Sequence, residues 1–156
     1  MMAILLTSCL SDENKNSETY SRQEVSEVIA SHDTTILYFM TSWCQAGQKD
    51  FENNLKPYLA NASDTKAIVV VCVGKLEEVM RLEGCFDNVF MFNKASRQSL
   101  SDKVFINKEC KKLLKDYKRV NYVPLKVACN SKGEILNWNT DVALDRTYGF
   151  IYPYLE

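Results

Sequence analysis

Histidine is almost missing from this chain: His32 is the only one among 156 residues, and no two of the six cysteines stand close together. That pattern excludes a metal site assembled from neighbouring Cys and His ligands, and no metal or other cofactor is expected. Glycine and proline are scarce as well, at five and three, which excludes collagen-like and low-complexity chains. No sign of charge dominates: the net charge is −1, with acidic and basic residues interleaved. Nucleic-acid binding needs a clustered positive surface, so no nucleic-acid partner is expected. The locally basic run 108–119 has its apolar residues at helical spacing and reads as the solvated face of an ordinary helix. No apolar run approaches the roughly 20 residues needed to cross a bilayer. What is present, 46% hydrophobic and 25% charged residues, is the composition of one globular domain able to bury a core without staples.

The first residues are apolar and small, and the composition turns polar at Ser11-Asp12-Glu13-Asn14. Leu6-Thr7-Ser8-Cys9 resembles a bacterial lipobox. The resemblance implies cleavage before Cys9, lipidation of that cysteine and anchoring by acyl chains rather than by a spanning helix. Residues 1–18 are then a truncated signal and tether, and 19–156 the folded domain. The implied location is the cell envelope of a Gram-negative bacterium, in the periplasm or at the outer-membrane surface, where disulfides persist. Asp12-Glu13 resembles the export tag of surface lipoproteins. One departure is plain: only eight residues precede Cys9 and none is basic, against a positive n-region and about 15–30 residues in an ordinary signal peptide.

Further along, Ser21-x-x-Glu24 reads as a capping box opening a helix through Ala30, with Val25, Val28 and Ile29 inward. Residues 31–35 break the pattern, and His32 reads as a solvated loop residue. Thr35 to Met40 is a run of strand formers without alternation, as in a strand covered on both faces. A helix over 47–60 follows, with Pro57 expected to kink or end it. Ala67 to Val73 is β-branched almost throughout and should be a central, buried strand. Leu76 to Leu82 marks a short helix closed by Gly84. Val89 to Phe92 is a further strand, and Asn107 can cap a helix running to about Lys118 with Cys110, Leu113, Leu114 and Tyr117 in one stripe. Leu125–Cys129 and Glu134–Trp138 form a hairpin around Gly133. Alternating strands and helices followed by a hairpin predict an α/β fold, a mixed sheet with helices on both faces.

The segment Tyr38-Phe39-Met40-Thr41-Ser42-Trp43-Cys44-Gln45-Ala46-Gly47 carries the chemistry. It resembles the thioredoxin-family active site, where a buried strand ends in Trp-Cys-x-x-Cys and a helix begins. Val123-Pro124 stands before a strand as that family's cis-proline does, and Asn130 to Glu134 resembles its closing hairpin. The resemblance spans about 34–138 and implies a thioredoxin-like fold. It also implies Cys44 as nucleophile, with Trp43, Gln45, Ala46, Val123 and Pro124 as contacts for a client protein's thiol or disulfide. Physically, a cysteine at a helix start faces unpaired N–H groups and the positive end of the helix dipole, which favour thiolate over thiol.

The departures matter equally. Gly47 stands at the resolving-cysteine position, so the motif is Cys-x-x-Gly, and thiol exchange lacks the second thiolate that would release a mixed disulfide. The family's buried acid falls at Tyr38. Cys72 and Cys129 lie in apolar strands and Cys110 on a core stripe, so all three read as small buried hydrophobes. Cys85 reads as a loop residue that could pair with Cys110. Three functions are compatible with these residues. The first is thiol–disulfide exchange or client-thiol trapping through Cys44 alone. The second is a non-catalytic binding module. The third is a peroxiredoxin-type peroxidase, which Thr41 suits but Leu37, at that family's proline position, does not.

Overall fold

The computed structural model describes residues 18–75, 86–96, 100–138 and Tyr154. Cys9, Cys85 and the helix expected over 76–82 lie outside the described residues.

The β-branched runs become strands as their composition dictates. β1 is Glu18–Thr19, β2 Thr34–Thr41, β3 Lys66–Val73, β4 Val89–Lys94, β5 Leu125–Asn130 and β6 Ile135–Trp138. They form one sheet in the order β1-β4-β3-β2-β5-β6. β2, β3 and β4 run parallel, and β1 joins β4 in the same direction. β5 is antiparallel to β2 and closes a hairpin with β6. Gly133, at φ +72°, takes the left-handed turn position that a side chain would resist. β2 and β3 are interior strands, buried along all but their first residue.

Because successive side chains point to opposite faces, β2 feeds two cores. Leu37 and Phe39 pack with Val25, Val28 and Ile29 of α1 (Arg22–Ser31) and with Ile106 and Cys110 of α3 (Leu100–Leu113). Ile36, Tyr38 and Met40 pack on the other side with Phe51, Leu55 and Leu59. Both faces are therefore covered by helical segments, as expected. Ser21 is the N-cap of α1, accepting from the Glu24 amide at 3.4 Å.

Four local expectations need correction. α2 spans Gln45–Asp50, starting two residues early, and then passes into a π turn (Phe51–Leu55) and a 3₁₀ helix (Lys56–Asn61). The α geometry ends ahead of Pro57, as expected, and Pro57 sits in the first turn of that 3₁₀ segment, where its missing N–H costs nothing. Asn107 is no cap. It lies within α3, where its Nδ2 donates to the carbonyls of Lys103 (2.8 Å) and Val120 (2.9 Å), while its Oδ1 accepts from the Val120 amide (2.9 Å) and the Tyr117 hydroxyl (2.9 Å). The helix ends at Leu113 because the Lys115 amide turns to the Gly133 carbonyl, at 2.8 Å, and Asp116 adopts φ +58°. His32 is buried, not solvated: Nδ1 lies 2.8 Å from the Val28 carbonyl and Nε2 3.3 Å from Asn88 Oδ1.

At the mouth of the sheet, β2 and β3 end very close together. Gly74 has φ +126°, and a Cβ there would overlap the Ser42 side chain. The Ser42 amide donates to the Val73 carbonyl at 3.0 Å, which holds the turn after β2 against the end of β3.

Candidate functional site

The turn from β2 into α2 places Cys44. Its amide donates to the Thr41 carbonyl (3.2 Å), and its carbonyl accepts from the Gln48 amide (3.0 Å), the first bond of the helix. Cys44 is thus the N-cap of α2, with extended backbone at φ −89°, ψ 100°. The Gln48 side chain donates to the Ser42 carbonyl and ties the turn to the helix it precedes. The expected capping contact from the cysteine itself is not made: the Cys44 side chain forms no hydrogen bond to the helix amides.

One turn into α2, Gly47 is buried, and a Cβ on it would lie 3.7 Å from Pro124 Cδ and 3.8 Å from Cys44 Sγ. Cys44 and Pro124 therefore both lie against Gly47, and the Val123–Pro124 peptide bond is cis. Strand, Trp-Cys, helix, a cis-proline against the helix start and an antiparallel hairpin beyond it are now all in place.

The fold is thioredoxin-like.

No family model matches the chain, and no curated protein matches it. Among solved structures it is similar to a putative thiol:disulfide interchange protein DsbE from Chlorobium tepidum, at 15% identity over 85% of each chain and a TM-score of 0.45. It is also similar to a thioredoxin-family thiol:disulfide interchange protein from Chlorobium tepidum TLS, at 11% identity over 93% of this chain and 100% of that one, with a TM-score of 0.47. A thioredoxin from Wuchereria bancrofti aligns at 17% identity over 74% of this chain and 73% of that one, with a TM-score of 0.38. The thioredoxin-like assignment stands on the strand order and on the residues gathered at Gly47, not on these likenesses.

The remaining expected contacts divide. Trp43, Gln45 and Ala46 flank Cys44 and are exposed. Val123 adjoins the site through its bond to Pro124, but its side chain is half-buried against the core that α1 and α3 cover. Pro124 is buried.

The four described cysteines are free thiols, so the pairing considered for Cys110 is not made. Cys72, Cys110 and Cys129 are wholly buried. Burial pushes the thiols of Cys72 and Cys129 up to about 12 and raises that of Cys110 too. Cys44 alone of the four reaches the surface.

Two groupings near the site were not anticipated. Beneath Gly47, the Tyr38 hydroxyl, fully buried, lies 2.6 Å from Asp50 Oδ2 and 3.2 Å from the Gly47 carbonyl. Asp50 in turn pairs with the fully buried ammonium of Lys126 at 3.4 Å. β2, α2 and the strand after Pro124 are tied by these three residues. The available signal was a lysine amid an apolar strand, since such a residue needs a counter-charge when buried. Beside Cys44, the Trp43 Nε1–H donates to Asp102 Oδ2 at 2.9 Å, and the Ser96 hydroxyl donates to the same oxygen. Nothing in the spacing of residues 43 and 102 announces that contact. Among the described residues no three His, Cys, Asp or Glu side chains converge as a metal site would require, and no helix is long and apolar enough to cross a membrane.

Proposed function

We propose that this chain is a thiol–disulfide exchange or client-trapping protein that works through Cys44 as its single nucleophile. One observation carries the reading. Of the four described thiols, three are wholly buried, whereas Cys44 stands half-exposed at a helix start beside the turn of Gly47 that packs on Pro124. The Cys44 thiolate attacks one sulfur of a client disulfide, a Cys44–client S–S bond forms as the client S–S bond breaks, and the displaced sulfur leaves as a thiolate that takes a proton from water. With Gly47 in place of a second thiol, the adduct persists until that displaced client thiol, or another thiol from solution, attacks it. Gln45, Ala46, Val123 and Pro124 would frame the client.

The same proposal includes a tether. Cys9 would carry the lipid, residues 1–18 would serve as signal and spacer, and 19–156 would form the domain, held in the periplasm or at the outer-membrane surface. The similarity of Leu6-Thr7-Ser8-Cys9 to a lipobox supports this. Metabolic labelling with a fatty acid, compared between the natural chain and Cys9→Ala, tests it.

The exchange reading is tested by alkylating the native chain at neutral pH and following Cys44 by mass spectrometry. Cys44 should react faster than it does in the unfolded chain and should form a mixed disulfide with a peptide disulfide. A rate no greater than in the unfolded chain would defeat the proposal. One feature favours the alternative of a non-catalytic binding module, namely glycine at position 47. Full rescue of a deletion strain by Cys44→Ser would establish that alternative.

A further inference from the structure

The buried carboxylate of Asp102 belongs to α3, yet it is bonded to the residue next to the nucleophile. Asp102 is 3% exposed, whereas Trp43 is 39% exposed. The indole N–H edge is held inside the protein, at 2.9 Å from Asp102 Oδ2, and part of the ring remains in solvent. Ser96 donates to the same oxygen, so that acceptor is fixed from a second direction. A large apolar ring free to rotate would lose orientation whenever a client arrived. This one has its orientation set in advance, and pre-ordering of that kind lowers the cost of docking.

The two exposed residues that follow Cys44 carry no charge. Gln45 and Ala46 are exposed beside Cys44, and the first charged side chain after them in α2 is Lys49, about one turn along. We infer that Asp102 is a positioning residue that clamps Trp43 as a fixed apolar plate beside Cys44, so that the site prefers peptide disulfides with an apolar or aromatic residue next to the attacked cysteine over acidic ones. The inference rests on Cys44 being the nucleophile, and it adds the client chemistry.

The test uses the full chain and the variants Asp102→Ala, Asp102→Asn, Trp43→Phe and the double variant Asp102→Ala/Trp43→Phe. The chain holds two tryptophans, so the Trp43 indole N–H signal in a nitrogen–proton NMR spectrum is identified by its loss in Trp43→Phe. Its protection from hydrogen exchange should vanish in Asp102→Ala and persist in Asp102→Asn, whose amide oxygen still accepts. That readout does not involve Cys44 reactivity.

The second readout is reaction of Cys44 with two peptides, each activated as a disulfide with 2-thiopyridine and differing only in Phe or Glu beside the cysteine. Cys44 attacks the peptide sulfur, the Cys44–peptide S–S bond forms, and 2-thiopyridone departs with the electron pair and is detected by its absorbance. The natural chain should favour the Phe peptide. Asp102→Ala should lose about five- to tenfold of that preference, the scale of one ordinary net hydrogen bond spent on orientation. Asp102→Asn should retain it, and Asp102→Ala should add nothing in the Trp43→Phe background. A retained preference in Asp102→Ala, or equal losses toward both peptides and iodoacetamide, overturns the inference. If Asp102→Ala does not fold, Trp43→Phe decides: it breaks the same bond from the other side, and an unchanged preference overturns the idea. Cys44 inert toward both peptides overturns the nucleophile reading and the selectivity with it, whereas a reactive Cys44 without preference overturns the selectivity alone.

Discussion

A Cβ built on Gly47 lies 3.8 Å from the Cβ of Cys44, with no overlap against Pro124 or any other neighbour. That separation matches the mean Cβ–Cβ distance of about 3.8 Å in disulfides. Gly47→Cys should therefore fold normally, and its new thiol should close a bridge to Cys44 under mild oxidation, read as the loss of two hydrogens in the intact mass. The variant should also turn over a peptide disulfide with dithiol kinetics, where the natural chain stops at an adduct. Persistence of two free thiols after oxidation would show that the helix start holds these positions differently.

The buried pair beneath the site makes an asymmetric prediction. Lys126 is fully buried and Asp50 is 14% exposed. Asp50→Asn removes the counter-charge from an ammonium that cannot reach water, at a cost on the order of 3 kcal/mol. Lys126→Met removes the buried charge itself, fills similar volume and should cost clearly less. Urea denaturation of the two variants checks the order, and equal losses would contradict it.

Thr35 and Thr41 each bury a side-chain oxygen that has no hydrogen-bond partner among the described residues. Thr35 lies between Ala67 of β3 and Cys129 of β5 in an otherwise apolar setting. Thr35→Val exchanges the hydroxyl for a methyl and should stabilise the fold by about 1 kcal/mol. For a chain of this size that is a rise of roughly 2–4 °C in Tm, measurable by calorimetry. A fall in Tm would mean that the hydroxyl has a use.

Acid sensitivity should trace in part to Glu109. Burial pushes its carboxyl up, but hydrogen bonds from Arg22 and Tyr20 and the Arg22 charge outweigh that, so it stands below the usual carboxylate value. The guanidinium meets both oxygens, Nε at 2.6 Å and Nη2 at 2.8 Å. With a folded value below the unfolded one of 4.5, the stabilisation is present above pH 4.5 and is lost as pH falls through the lower folded value. Stability measured from pH 6 to pH 2 should drop more steeply in the natural chain than in Glu109→Gln. Parallel curves would remove Glu109 from the account.

Most of the sheet could be read directly from composition, because β2, β3 and β5 are dense in residues that suit a covered strand and little else. Cys44 and Pro124 were legible for a related reason: a tryptophan–cysteine pair at a strand end and a proline before a strand are local signals. The errors fall where the deciding contact is remote. Asn107 has the chemistry of a cap, but its amide group is spent on Lys103 and on the loop at Val120. His32 stands in a polar stretch, yet its ring is enclosed by the end of α1 and the turn at Asn88. Asp102 falls before the helix expected from Asn107, and only the folded chain sets it in a helix and brings it to Trp43. β1 has two residues and no pattern, so only its pairing with Phe92 and Asn93 reveals it.

The contact between Gly74 and Ser42 bears on how relatives of this chain can be found. A bare backbone at the end of β3 and a short side chain two places before the cysteine are each conditional on the other. A distant sequence that keeps the pair has kept the spacing of the turn that leads into Cys44, even if the cysteine has been replaced. A sequence that enlarges either partner must reroute that turn, and a search pattern built on positions 42, 44 and 74 together would separate the two groups where overall identity is too low to do so.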